Sequence, residues 1–181
     1  MKVHQDINEK LRAFIAAQRM FFVATAAGEG HVNVSPKGMT GTFVVLDPLR
    51  VAYLDFHGSG AETIAHLRDN GRITLMFCAF EGPPNIVRLY GTGRVIPVTD
   101  PSFGEMLSWF PESPDTHGAR SIIDVAVHRV SDSCGYAVPL MSYEGDRDVL
   151  LRWGERKDDA ALAAYRKLKN SESIDGLPAL D

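Results

Sequence analysis

Two cysteines, Cys78 and Cys134, are all that the 181 residues carry, too few for a disulfide framework and without the CxxC spacing of a zinc or redox site. Both read as reduced thiols, and Cys78, at the end of an apolar run, reads as a small buried residue. No apolar stretch approaches the roughly 20 residues that span a bilayer. Met1-Lys2-Val3-His4-Gln5-Asp6 also lacks the apolar core of a secretion signal. A cytoplasmic protein without a membrane partner is expected. The formal charge of −4 supplies no basic field, which argues against a nucleic-acid partner. The six histidines show no HExxH or paired spacing, so no metal site is expected. The GxGxxG dinucleotide fingerprint and the GxxxxGK phosphate loop are missing, as are Ser/His/Asp and Cys/His arrangements, which counts against a hydrolase. No repeat, low-complexity tract or linker divides the chain. Residues 1–181 are therefore expected to form one domain, with a C-terminal helix and tail from about residue 155.

What is present concentrates in residues 31–77. Residues 31–34 alternate like a half-buried strand, and residues 43–47 and 51–56 are β-branched and aromatic runs. Gly58-Ser59-Gly60 then punctuates before a helical segment at residues 61–67, and residues 72–77 return as a strand. Ser59 stands where an N-cap belongs, and Glu62 completes a Ser-x-x-Glu capping box. Helix stability accounts for that pair; a phosphate contact by Ser59 is the alternative. Lys37 lies between Pro36, which stiffens the chain, and Gly38, which permits close approach. Ser35 shares its face. Lys37 reads either as a solvated edge charge or as a cation positioned for an anion.

The order of these pieces resembles the pyridoxamine 5'-phosphate oxidase-like, FMN-binding split-barrel family. The likeness rests on an N-terminal helix feeding Phe21-Phe22-Val23-Ala24-Thr25-Ala26, on His31-Val32-Asn33-Val34-Ser35-Pro36-Lys37-Gly38, and on Val51-Ala52-Tyr53-Leu54-Asp55-Phe56 with its glycine turn. It continues through Asn70-Gly71-Arg72-Ile73-Thr74-Leu75-Met76-Phe77 and Val87-Arg88-Leu89-Tyr90-Gly91-Thr92-Gly93-Arg94-Val95. The resemblance implies a mainly β fold with flanking helices, a six-stranded antiparallel split barrel, and a homodimer with FMN at the subunit interface. It further implies Lys37 as a phosphate cation, Ser59 as a phosphate hydroxyl beside Gly60, and Thr63 near the same group. Tyr53, Leu54, Asp55 and Phe56 would run under the ribityl chain and ring edge, with Ser35 and Pro36 beside them. Gly60-Ala61 replaces that enzyme's Arg-Lys pair, and Val32 replaces an arginine, which implies a less charged phosphate site filled out by backbone amides and hydroxyls. The residues that grip pyridoxal phosphate are not evident.

Elsewhere, Ile7, Leu11, Phe14 and Ile15 are spaced for an amphipathic helix over residues 7–19. Glu81-Gly82-Pro83-Pro84-Asn85 predicts a hairpin turn into a strand over residues 85–97. Arg88 and Arg94 share a strand face there; exposed ion pairs explain them, and the resemblance adds a place for Arg88 near the partner subunit's flavin. Phe103, Met106, Leu107 and Phe110 form a packing stripe on a helix that Pro111-Glu112-Ser113-Pro114-Asp115 ends. Residues 120–130 supply the last barrel strand. Residues 134–141 read as an extended segment whose Met141 either covers a flavin ring or packs in a core or dimer contact. Trp153 either shields the flavin or anchors the terminal helix, read at residues 158–168 as a surface helix followed by an extended tail. His57 reads as a partly exposed turn residue or a ligand contact.

The functional expectation is an FMN-dependent oxidoreductase, since flavin chemistry needs no nucleophile–base pair from the protein. A deazaflavin-dependent reductase and a non-enzymatic flavin or haem carrier or sensor are the alternatives.

Overall fold

The computed structural model describes residues 1–113 and 115–180. Among the described residues, eight strands form one antiparallel sheet: β1 (Lys2–His4), β2 (Met20–Ala26), β3 (Val32–Gly38), β4 (Phe43–Asp47), β5 (Arg50–Phe56), β6 (Arg72–Cys78), β7 (Ile86–Pro97) and β8 (Ala119–Ser133). The main path runs β3-β2-β6-β7-β8-β5-β4, and β1 pairs with β8. The mainly β class and flanking helices match expectation. The eight strands exceed the six implied by the resemblance, partly because the three-residue β1 adds itself to β8.

The sheet rolls until its two ends meet through side chains rather than a ladder. Phe21 of β2, one strand in from the β3 end, and Phe43 of β4, at the other end, have their rings 5.0 Å apart. Tyr53 and Phe77 complete the cluster, at 5.4 Å from Phe21 in each case. Phe21 meets Phe43 and Tyr53 edge to face, an arrangement that suits rings with negative faces and positive edges, and stacks against Phe77; these contacts hold the split edges together without backbone hydrogen bonds.

Strand β5 is buried on both faces, which explains its near-continuous apolar run. Val51 and Tyr53 face the barrel interior with Val23, Leu75 and Leu89. Ala52, Leu54 and Phe56 face a second core under α3 (Phe103–Met106), with Phe103, Phe110 and Ile122. The expected stripe is thus packing. The helix is shorter than expected, passing into a 3₁₀ turn at Leu107–Trp109 before Pro111; Pro114 lies outside the described residues.

Helix α1 (Glu9–Ala17), capped by the Asn8 side chain, buries Leu11 and Ile15. Helix α2 (Glu62–Asp69) packs Ile64, Ala65 and Leu67 into the barrel interior. Gly93 permits this approach, because a Cβ there would meet Leu67 Cδ2 at 2.8 Å. Asn70 ends α2, and Gly71 follows at φ +73°, a left-handed position that suits glycine. Two helices close the chain, α4 (Val149–Glu155) and α5 (Asp159–Lys169). The tail after α5 is not a surface extension: Ala179 and Leu180 are buried in the barrel core. Among the described residues no helix is long and apolar enough to cross a membrane.

Candidate functional site

A cleft of about 970 Å³ opens where β3, the end of β5 and the start of α2 converge. Its floor includes Ser35, Pro36 and Lys37 of β3 with Leu54 and Phe56 of β5. The turn after β5 contributes His57, Gly58 and Gly60, and α2 contributes Glu62 and Thr63. The opposite wall comes from the C-terminal third of the chain, through Tyr143, Arg147, Leu150, Trp153 and Tyr165.

The charge in this cleft is organised around Asp55. Lys37 Nζ donates to Asp55 Oδ1 at 2.8 Å, and Arg120 Nε donates to Oδ2 at 2.8 Å. Asp55 is 1% exposed. Burial alone would raise its pKa, but the charges of Lys37 and Arg120 and their hydrogen bonds override that and hold it well below the usual carboxylate range. The carboxylate therefore stays ionised, and two cations against one anion leave the trio with a net charge of about +1. An ammonium has three donors and a guanidinium five, so both cations keep N–H groups beyond their bonds to Asp55.

Arg120 reaches this position through a β-bulge. The β5–β8 register pairs Asp55 with Ser121 and Phe56 with Ala119, leaving Arg120 as the extra residue. A bulge breaks strict alternation and re-aims a side chain. The Arg120 guanidinium turns to Asp55 and donates from Nη1 to the Gly58 carbonyl at 3.3 Å. In sequence Arg120 reads only as the start of a strand, and nothing in an alternating pattern signals the bulge.

The expected capping box does not form. Helix α2 begins at Glu62 behind Ala61, without a side-chain cap, and Ser59 is exposed outside the cleft lining. Glu62 Oε1 instead accepts from the Ile174 amide at 3.3 Å. The helix start lies three residues beyond Ser59, so the first-turn amides of α2 receive no side-chain acceptor from the turn.

His57 is 2% exposed, not a partly exposed turn residue. Its Nδ1 lies 2.8 Å from the Gly118 carbonyl, which only accepts, and its Nε2 lies 3.1 Å from Arg166 Nη1, which only donates. That pairing requires a neutral ring protonated at Nδ1. Burial, then the charges of Arg166 and Arg120, hold its pKa below the ordinary value. The Trp153 and Tyr165 rings pack edge to face at 4.8 Å, with His57 6.1 Å from Trp153. Trp153 thus anchors the terminal helices and lines the cleft at once.

Of the residues expected at the site, Ser35, Pro36, Lys37, Leu54, Phe56, Gly60, Thr63 and Trp153 line one cleft. Tyr53 does not: it is fully buried against Phe21, with no hydrogen-bond partner for its hydroxyl among the described residues. Asp55 acts from behind the wall, through Lys37 and Arg120. Arg88 lies outside the cleft lining, donating from Nη1 to Ser133 Oγ at 3.2 Å. Met141 is 54% exposed and outside the cleft lining, so it neither covers this cleft nor packs in the core.

The profile of the pyridoxamine 5'-phosphate oxidase family matches residues 7–134. The chain belongs to that family. It is 39% identical to the pyridoxamine 5'-phosphate oxidase family protein ustO of Aspergillus flavus, over 98% of this chain and 77% of that protein. Among solved structures, HupZ of Group A Streptococcus superposes with a TM-score of 0.56 at 18% identity, covering 75% of this chain and 99% of that one. An FMN-binding protein from Syntrophomonas wolfei superposes with a TM-score of 0.52 at 14% identity, covering 74% and 87%. These structural likenesses support the split-barrel fold.

Proposed function

We propose that the cleft binds FMN by its phosphate and ribityl chain, and that the protein is an FMN-dependent oxidoreductase working as a homodimer. The observation that carries this reading is the Lys37–Asp55–Arg120 trio, a fixed, net-positive wall beside the Thr63 hydroxyl and the uncapped start of α2. A phosphate monoester carries nearly two charges and favours cations, hydroxyls and helix amides together. Arg120 takes the place of cations that Gly60-Ala61 and Val32 do not supply. Ala61, 2% exposed, has no room for a charged side chain without rearrangement.

Lys37, Arg120 and Thr63 would hold the phosphate. Gly60 would let the backbone approach it, with Ser35, Pro36, Leu54 and Phe56 along the ribityl chain and ring. Bound there, FMN would supply hydride and electron transfer, while the protein binds, orients and shields. A second copy of the chain has an apolar surface to meet: Val32 is 73% and Val34 62% exposed on β3. In such a dimer Arg88 serves the groove of the other subunit. We assign the protein to the cytoplasm, where Cys78 and Cys134, both free here, remain reduced.

The test is to purify the protein, denature it and identify any released chromophore by mass, then titrate the flavin-free protein with FMN. Released FMN, or saturable binding of one FMN per chain, supports the reading. A deazaflavin or haem, or failure of added FMN to bind, overturns it.

A further inference from the structure

Behind the cleft, five polar side chains form a directed hydrogen-bond chain. Asn33 Nδ2 donates to Thr63 Oγ1 and to Thr25 Oγ1, each at 3.0 Å. Ser35 Oγ donates to Asn33 Oδ1 at 3.0 Å. At the far end Thr25 Oγ1 lies 3.0 Å from His66 Nδ1, with Thr25 4% exposed and His66 fully buried.

The direction of each proton follows from the donor inventory. An amide NH₂ only donates, so Thr63 and Thr25 must accept from it. Thr25 is buried, and His66 Nδ1 is within reach of its proton. Thr63 has spent a lone pair on Asn33, which leaves its O–H proton free to point into the cleft it lines. Ser35 has spent its proton on Asn33 Oδ1, which leaves its lone pairs facing the same space.

We propose that Asn33 is a specificity-determining residue that fixes Thr63 as a donor and Ser35 as an acceptor toward the ligand. The cleft would thus select a molecule with an anionic oxygen at the Thr63 end and a hydroxyl or N–H donor at the Ser35 end. Within the FMN reading, on which this inference rests, those are a phosphate oxygen and a ribityl hydroxyl. Asn33 does not line the cleft and acts through its two neighbours.

The probes are FMN and riboflavin, which differ only in the phosphate. Thr63→Val should weaken FMN by about tenfold or more and leave riboflavin unchanged, the effect of losing a charge-assisted donor. Thr63→Ser, which keeps the hydroxyl, should restore the preference. Asn33→Asp, whose carboxylate captures the Thr63 proton, should lower the FMN preference to a similar degree. In a Thr63→Val background it should add little, because its route through the hydroxyl is already gone. Retained riboflavin binding shows that each variant is folded. If the unaltered protein binds neither flavin, the FMN reading fails and this inference with it. If FMN binds, but Thr63→Val leaves the FMN-to-riboflavin ratio unchanged, this inference fails and Thr63 leaves the phosphate set, while FMN binding at the Lys37–Asp55–Arg120 trio stands. The inference fails likewise if Asn33→Asp has its full effect without the hydroxyl.

Discussion

Asp55 and Asp124 sit three rungs apart on one β5–β8 ladder, and each is clamped by two cations, yet they do different things. The odd spacing puts them on opposite faces. Asp124 binds Arg50 in a two-point contact, 2.9 Å on each oxygen, and Arg94 reaches it at 3.5 Å. Those arginine side chains are 41% and 63% exposed, and the Arg50 guanidinium also lies over the Trp109 ring, 5.1 Å from its centroid. At Asp55 the partners are withdrawn from water, with Arg120 5% and Lys37 23% exposed, and they face a cleft. Water screens the outer pair, which contributes little beyond holding strands together. The inner trio holds charge in a place that costs desolvation, which an anion-binding wall explains better than stability does.

The largest expected break is Asp55→Asn, which leaves two cations without their counter-ion. It should destabilise the fold by about 3–5 kcal/mol, read as a drop in denaturant midpoint. Lys37→Ala should weaken FMN by about 1.5–3 kcal/mol in a titration, while Arg50→Ala leaves FMN affinity unchanged. Equal losses from the two would erase the distinction between the faces. Asp124→Ala should cost only about 1 kcal/mol, measured by the same denaturant series.

The smallest expected effect is in pH. His57 has a folded pKa below 6.5, so the unfolded chain binds its proton first, and its share of stability falls as pH drops through that range. Asp55 has the same sign: its contribution is present above pH 3.8 and lost on further acidification. His57→Gln should flatten the slope of melting temperature between about pH 7 and 5 relative to the unaltered protein.

Much of the barrel was legible because its strands alternate and its turns carry glycine, proline and asparagine. The family resemblance, more than pattern alone, named the eight expected residues that line the cleft, since it assigns Ser35, Lys37 and Thr63 to elements that converge there. Arg120 was not legible, because a bulge leaves no mark on composition. Most of the far wall was not legible either: Tyr165 falls in a segment that reads as a surface helix, and of this wall Trp153 alone was expected near the ligand, because the approach to the cleft depends on how the last helices dock. The burial of His57 and the Leu180 tail likewise comes from contacts between distant segments. Ser59 misled because a capping box satisfies helix stability on paper, while the helix starts at Glu62.

The most direct test of the phosphate corner is to compare FMN with riboflavin by fluorescence titration of the flavin-free protein. The account requires FMN to bind at least tenfold more tightly, with Lys37→Ala removing most of that preference. Equal affinity for the two flavins would contradict it.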